Sequence, residues 1–310
     1  MKKVLIIADP GVDDSFAIMY ALLHPEIEVV GIVCDYGNVS QKDAIRNTKL
    51  LLKIADQEDI PIILGADRPL TGEAPQYFYD IHGDYGLGGF VPDSPASIKV
   101  YPFTKMYELI DEHGKDLTVV NLSRLSTLAL MYFHPESNID QVDQVLIMGG
   151  AFHVPGNVTP LAEANIYGDP QAAKVVAKHG QNITFIPLNV SNRAIITNDD
   201  ISHLTQNSIS PYSSILEPIM SYYSKQYENL IPGINGAPLH DVTLFSYLLN
   251  QDRYLTVDRQ VQVIVDGPSK GLTHADFRPV PKVIGKAPIH TIVVDFDPSF
   301  FVKDFIEIMS

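Results

Sequence analysis

With 310 residues, 45% of them apolar, the chain can bury a large core and is not intrinsically disordered. A formal net charge of −15 excludes nucleic acid and anionic membrane surfaces as partners, because both require a basic face. The single cysteine, Cys34, rules out an internal disulfide framework; with no signal-peptide pattern after Lys2-Lys3 and no apolar run near the ~20 residues of a membrane span, the expectation is a cytoplasmic protein with small neutral or cationic ligands.

The first predicted element is a buried strand, Val4-Leu5-Ile6-Ile7, short, branched and bounded by a turn signal. A tight acidic turn, Asp9-Pro10-Gly11-Val12-Asp13-Asp14, leads into a helix from Ser15 to Leu23 with Phe16, Met19, Tyr20 and Leu23 at helical spacing. Val29 to Val33 reads as the second strand, Ala44 to Ala55 as a helix, and Ile60 to Leu64 as a third strand with a proline that suits an edge. Residues 66 to about 103 lack periodicity, and a loop of that length is usually functional; within it Ile81 to Gly89 reads as a flexible flap over a site. A helix from Met106 to His113, a strand from Leu117 to Val120, a short helix from Ser126 to Tyr132 and a strand from Val145 to Met148 follow. The polar loop from Ala151 to Asp169 ends at Pro170, which opens a helix as an N1 proline. Ile183 to Ile186 is a strand, and the pattern from Asn198 through Asn250 is mostly helical. Val261 to Val265 and Thr291 to Val294 read as the last strands, before a closing amphipathic helix from Phe300. The alternation of strands and helices predicts an α/β fold in which a mostly parallel open sheet carries helices on both faces. No repeat or linker divides residues 1–310, so one domain is expected.

Four polar groups lie just past predicted strands or in the loops above them. They are Asp9/Asp13/Asp14, the segment Asp35-Tyr36-Gly37-Asn38, the loop from Asn157 to Asn165, and His240-Asp241. Their shared position places them at the carboxyl edge of the sheet, where open α/β sheets bind ligands. The acidic first turn would repel a phosphate but suits a hard cation such as Ca²⁺ or Mg²⁺. Each group also has a plainer reading. Asp13 and Asp14 would favour the helix dipole, Asn38 would sit in a turn, Glu163 would be a solvated charge, and Asp241 would cap the helix after it.

The first turn resembles the Asp-x-Asp-Pro-Gly-x-Asp-Asp signature of the inosine-uridine type nucleoside hydrolases. Gly37-Asn38, Met148-Gly149-Gly150, Gly156-Asn157, Ala162-Glu163-Ala164-Asn165 and His240-Asp241 match further motifs of that family in order and spacing. The resemblance covers most of the chain and implies a calcium-dependent hydrolase of the N-glycosidic bond of ribonucleosides, purine, pyrimidine or both, with roles in nucleoside catabolism and salvage and a homo-oligomeric assembly. It implies that Asp9, Asp14, Asp241 and the Leu122 carbonyl bind Ca²⁺, with Asp9 also the base toward water. Asp13, Asn157, Glu163 and Asn165 would hold the ribose, with Asn38 close by. His240 would protonate the leaving base as a histidine titrating near neutrality, and His82, Tyr223 and Tyr227 would enclose it.

Three positions depart from the family pattern. Ile7 stands where the signature has its first Asp; Asn121-Leu122-Ser123-Arg124 replaces a Pro-Thr-Gly-Gly run and brings a bulky cation near the metal loop; Ala164 replaces an aromatic residue. Asp35 is a candidate to restore the charge lost at Ile7 through water, against its plainer reading as a solvated turn residue. Two competing readings are a metal-dependent phosphohydrolase, with Arg124 its one candidate phosphate partner, and a non-catalytic nucleoside-binding protein.

Overall fold

The structure is a computed structural model that describes residues 1–92, 97–207, 209–283 and 285–310. Its strands are β1 (Lys2–Ala8), β2 (Ile27–Cys34), β3 (Ile62–Leu64), β4 (Val100–Tyr101), β5 (Leu117–Asn121), β6 (Gln144–Met148) and β7 (Ile183–Ile186), followed by β8 (Ile195–Ile196), β9 (Ala237–Pro238), β10 (Tyr254–Arg259), β11 (Gln262–Val263), β12 (Thr273–His274) and β13 (His290–Phe296). Nine of them form one sheet in the order β10-β13-β7-β6-β5-β1-β2-β3-β4, while β8 with β9 and β11 with β12 make two small ribbons. Every pairing within the large sheet is parallel except β10 with β13.

Strand β1 shows why the sheet must be covered on both faces. Val4, Ile6 and Ala8 enter one core and Leu5 and Ile7 the other, and all five are fully buried. The first core is closed by α1 (Val12–Leu23), α2 (Gln41–Ile54), α9 (Asn198–Asn207), α10 (Ser213–Leu230), α11 (Val242–Leu249) and α12 (Pro298–Met309). The second is closed by α4 (Lys105–His113), α5 (Ser126–Phe133) and α7 (Pro170–His179). Three short helices, α3 (Tyr79–His82), α6 (Ala164–Gly168) and α8 (Leu188–Ser191), sit in the loops above the strand ends. The chain runs outward from β1 through β2 to β4, then returns to β5 on the other side of β1. That reversal opens a crevice at the carboxyl ends of β1 and β5.

Some elements differ from expectation. The strand predicted over Val261 to Val265 is only the two-residue β11, and the sheet's edge is instead β10, which the hydrophobic pattern does not show. The reason is exposure: an edge strand reading Tyr-Leu-Thr-Val-Asp-Arg puts Leu255 61% in solvent and carries no apolar run. The flap over Ile81 to Gly89 is tied down. Arg46 Nη2 donates to the Tyr85 carbonyl at 2.7 Å, Asn47 Nδ2 to the same oxygen at 2.8 Å, and Gly89 N to Pro218 O at 3.2 Å.

Candidate active site

The acidic turn after β1 places its carboxylates by backbone geometry. Asp14 lies in the first turn of α1; its Oδ2 accepts Gly11 N at 3.2 Å and Asn38 Nδ2 at 2.8 Å, and its Oδ1 accepts Asp9 N at 3.2 Å. Asp241 occupies the N-cap position of α11 without making a capping hydrogen bond, so its carboxylate serves something other than the helix end. Asp13, Asp14 and Asp241 are buried, and each offers an oxygen within 4.8 Å of the others. Asp9 is not in that group. Its Oδ2 accepts the backbone N–H of Asn38 and lies 3.3 Å from Arg124 Nη1, while Oδ1 is buried with no hydrogen-bond partner.

Burial is the largest influence on these acids and pushes all their pKa values up. Asp9 and Asp241 lie well above the usual carboxylate range, raised next by neighbouring carboxylates, and Asp13 rises to about 8 through burial and then Asp14. Such a cluster cannot hold its full negative charge without positive charge nearby. The donors are all oxygens, and Oδ1 of both Asp9 and Asp13 is buried without a hydrogen-bond partner. The residues therefore fit a hard divalent cation. The Leu122 carbonyl, the further ligand expected, accepts Asn165 Nδ2 at 2.7 Å, which leaves its second lone pair free.

The loop after β6 forms a second wall. Glu163 caps α6, its carboxylate accepting the N–H groups of Asn165 at 2.7 Å, Ile166 at 3.0 Å and Gly150 at 3.2 Å. Glu163 is thus a buried cap, which excludes the solvated-charge reading. Asn165 donates to Leu122 O and Met148 O and accepts from Arg124 Nη1 at 2.7 Å. Asn157 stands exposed at the rim, its Oδ1 accepting Ala164 N at 3.0 Å.

The third wall is neutral. His240 Nδ1 lies 2.9 Å from Ser191 Oγ and its Nε2 2.9 Å from the Tyr227 hydroxyl. Tyr223 stacks edge-on against Tyr227 with ring centroids 4.9 Å apart, so a row of side chains runs from Ser191 through His240 and Tyr227 to Tyr223. Burial lowers the His240 pKa to about 4, which corrects the expectation of a histidine titrating near neutrality: the imidazole is neutral at pH 7. His82, also buried, is pushed down to about 3; its Nδ1 accepts Val12 N at 3.0 Å, which assigns its proton to Nε2.

Together these walls line a cavity of about 730 Å³. Its lining includes Asp13, Asn38, His82, Leu122, Asn157, Glu163, Asn165, Tyr223, Tyr227, His240 and Asp241, whereas Asp9 and Asp14 lie beneath it and are not part of the lining surface. Ser191, Phe78, Leu230 and Ile231 escape the sequence reading. Ser191 lies past the carboxyl end of β7, so the strand-end rule could have flagged it; Leu230 and Ile231 end a long helix and carry no signal. Asp35 does not reach the cluster. Its Oδ1 accepts Ala66 N at 2.9 Å and Thr127 Oγ1 at 2.5 Å, and its Oδ2 accepts Ser123 Oγ at 3.2 Å. It ties three loops together beneath the site and cannot replace the charge lost at Ile7, whose side chain lies in the second core.

A buried acidic group at the switch point of an open α/β sheet, beside neutral histidines and tyrosines, defines a binding site for a small polar molecule. The comparisons give it a family. Residues 4–303 match the inosine-uridine preferring nucleoside hydrolase family. The chain is 35% identical over 277 residues to uridine nucleosidase 1 of Arabidopsis thaliana, covering 89% of this chain and 82% of that one. It is 32% identical over 308 residues to the pyrimidine-specific ribonucleoside hydrolase RihA of Escherichia coli O9:H4 (strain HS), covering 96% and 95%. Among solved structures, a plant nucleoside hydrolase, the PpNRh1 enzyme, superposes with a TM-score of 0.92 at 31% identity over 99% of this chain and 98% of that one. A purine-preferring ribonucleoside hydrolase from Gardnerella vaginalis superposes at 0.89 with 28% identity and the same coverage, 99% and 98%. The chain belongs to the inosine-uridine preferring nucleoside hydrolase family and is an enzyme that hydrolyses the N-glycosidic bond of ribonucleosides. Both competing readings, phosphohydrolase and inert binder, fall with that membership.

Proposed function

We propose that this nucleoside hydrolase binds Ca²⁺ at its buried aspartates and acts on pyrimidine ribonucleosides, uridine foremost. The observation that carries the cation is the buried Asp13/Asp14/Asp241 group, two of whose members line the cavity, an all-oxygen set that burial makes hungry for positive charge. The base preference rests on the relatives named as uridine nucleosidase and pyrimidine-specific hydrolase. Bound there, the cation supplies charge that orients the attacking water and eases its deprotonation.

The protein's own groups divide the remaining work. Asp9 accepts the water's proton, a role that suits a carboxylate whose proton affinity burial has raised. Breaking the bond leaves an oxocarbenium-like sugar, and the surrounding carboxylates stabilise that positive charge. Asp13, Asn157, Glu163 and Asn165, with Asn38 beside them, hold the ribose hydroxyls. His240, neutral and hydrogen-bonded to Tyr227 and Ser191, holds the Tyr227 hydroxyl toward the departing base, which that pair stabilises by hydrogen bonding rather than by net proton transfer, while His82 presents its Nε2–H and Tyr223 closes the wall.

Release of free ribose from uridine and inosine, with chelator and with added Ca²⁺, tests the reading. Turnover that chelator abolishes and Ca²⁺ restores, faster on uridine, is the expected result. Undiminished turnover in chelator would remove the cation from the scheme, and faster inosine cleavage would overturn the base preference.

A further inference from the structure

Arg124 stands out against everything around it. It is 1% exposed, the largest fully buried side chain among the described residues, and lies among carboxylates rather than at a surface. Its Nη1 is 2.7 Å from Asn165 Oδ1, 3.3 Å from Asp9 Oδ2 and 3.4 Å from Asn38 Oδ1. Nε and Nη2 have no hydrogen-bond partner. A guanidinium in such a place is costly unless its charge is balanced, and here the balance is Asp9.

The surroundings are built for it. A Cβ on Gly37 would come within 2.1 Å of Asp9 Oδ2 and 2.8 Å of the guanidinium carbon, and one on Gly168 within 2.6 Å of Nε. Both positions need glycine so that the backbone can close on the planar group. The Phe78 ring lies 5.3 Å from the guanidinium carbon on another side. Two departures from the family pattern act in the same direction: Ile7 removes a negative charge and Arg124 adds a positive one.

We infer that Arg124 is a resident counter-cation of the active site, a positioning residue that holds Asp9 and Asn165 in place before any divalent cation binds and lowers the site's affinity for that cation by sharing Asp9 with it. Asp9 shows how the sharing works. Its Oδ2 faces Arg124 and the Asn38 N–H, while Oδ1 is left for another positive partner. A divalent cation taking Oδ1 would lie within a few ångströms of the guanidinium. Like charges at that separation repel by several-fold more than RT even in a partly screened medium.

The inference rests on the calcium reading above, and the experiment separates the two. Chelator-stripped wild type, Arg124→Gln and Arg124→Lys are titrated with CaCl₂ by calorimetry, and their melting temperatures are taken in chelator and in Ca²⁺. Arg124→Gln keeps a donor for Asn165 and loses the charge. It should bind Ca²⁺ about tenfold more tightly or better. It should also melt earlier than wild type in chelator and recover most of that loss in Ca²⁺. Arg124→Lys keeps the charge and should stay within about threefold of wild-type affinity.

Unchanged or weaker Ca²⁺ binding by Arg124→Gln would overturn the inference, as would equal melting losses with and without Ca²⁺, the signature of a packing role alone. If Arg124→Gln does not fold in either buffer, Arg124→Lys decides: an affinity change beyond about threefold in either direction overturns the charge account. Wild type that binds no Ca²⁺ would instead overturn the calcium reading, and the inference with it.

Discussion

The two ends of the cavity are built on opposite electrostatic plans. At the end where α1 begins, Asp13, Asp14 and Asp241 crowd together, with Asp9 beside them turned to one buried guanidinium, Arg124. At the other end, Ser191, His240 and Tyr227 are joined by neutral hydrogen bonds and Tyr223 and His82 continue the row by ring contact, with both imidazoles held unprotonated at pH 7. Burial produces both outcomes. It disfavours whichever form is charged, so it lifts the acids toward protonation and strips the histidines of theirs. The difference teaches that one low-dielectric cavity can hold a charge-hungry floor for sugar and cation beside an uncharged wall for a base.

The comparison breaks most completely at the charged end. Asp14→Ala or Asp241→Ala should abolish calorimetric Ca²⁺ binding and remove detectable ribose release while the far-ultraviolet spectrum stays that of the wild type. Retained Ca²⁺ affinity in Asp241→Ala would dissolve the three-aspartate site. Next in size is the sugar. Hydroxyl contacts at that end predict that 2′-deoxyuridine is cleaved roughly 10⁴-fold less efficiently than uridine, since a site built to bond a hydroxyl rejects its absence strongly. Similar kcat/KM values would show that those polar groups do not read the ribose.

The neutral end should give a smaller and more selective loss. His240→Ala is expected to lower kcat for inosine by about 10²-fold, the scale of losing a positioned partner in leaving-group stabilisation, with less effect on uridine and on KM. Tyr227→Phe should reproduce part of this loss, because the hydroxyl is the group that meets Nε2. An equal and slight effect on both nucleosides would reduce His240 to packing and turn attention to His82.

The smallest effect sharpens the boundary of the charged end. Burial raises the Asp35 pKa from 3.8 to about 7, so the folded protein holds that proton more tightly than the unfolded chain. Its contribution is fully present below about pH 4 and is lost as the pH rises through 7. Asp35→Asn removes this dependence, so its melting temperature relative to wild type should climb between pH 5 and pH 8. Its Ca²⁺ affinity should not change, because the carboxylate faces Ala66, Thr127 and Ser123. Parallel melting curves across that range would mean that Asp35 is ionised in the folded protein well below neutrality.

What the chain determines by itself is the scaffold and the chemistry at its edge. Continuous apolar runs such as Val4 to Ile7 identify central parallel strands, because a strand buried on both faces has no polar side to show. Acids and amides past the strand ends or in the loops above them, such as Asp9, Asn38 and Asn165, are legible as a site for the same topological reason. An exposed edge such as β10 stays hidden, since its pattern reports solvent rather than a core. Only the tertiary structure decided that Asp13 joins Asp14 and Asp241 while Asp9 turns to Arg124, that Asp35 braces loops instead of serving the cluster, and that Ser191 meets His240. Each of these is a contact between segments far apart in the chain, with charges whose strength depends on how deeply the fold buries them; sequence spacing carries neither distance nor dielectric.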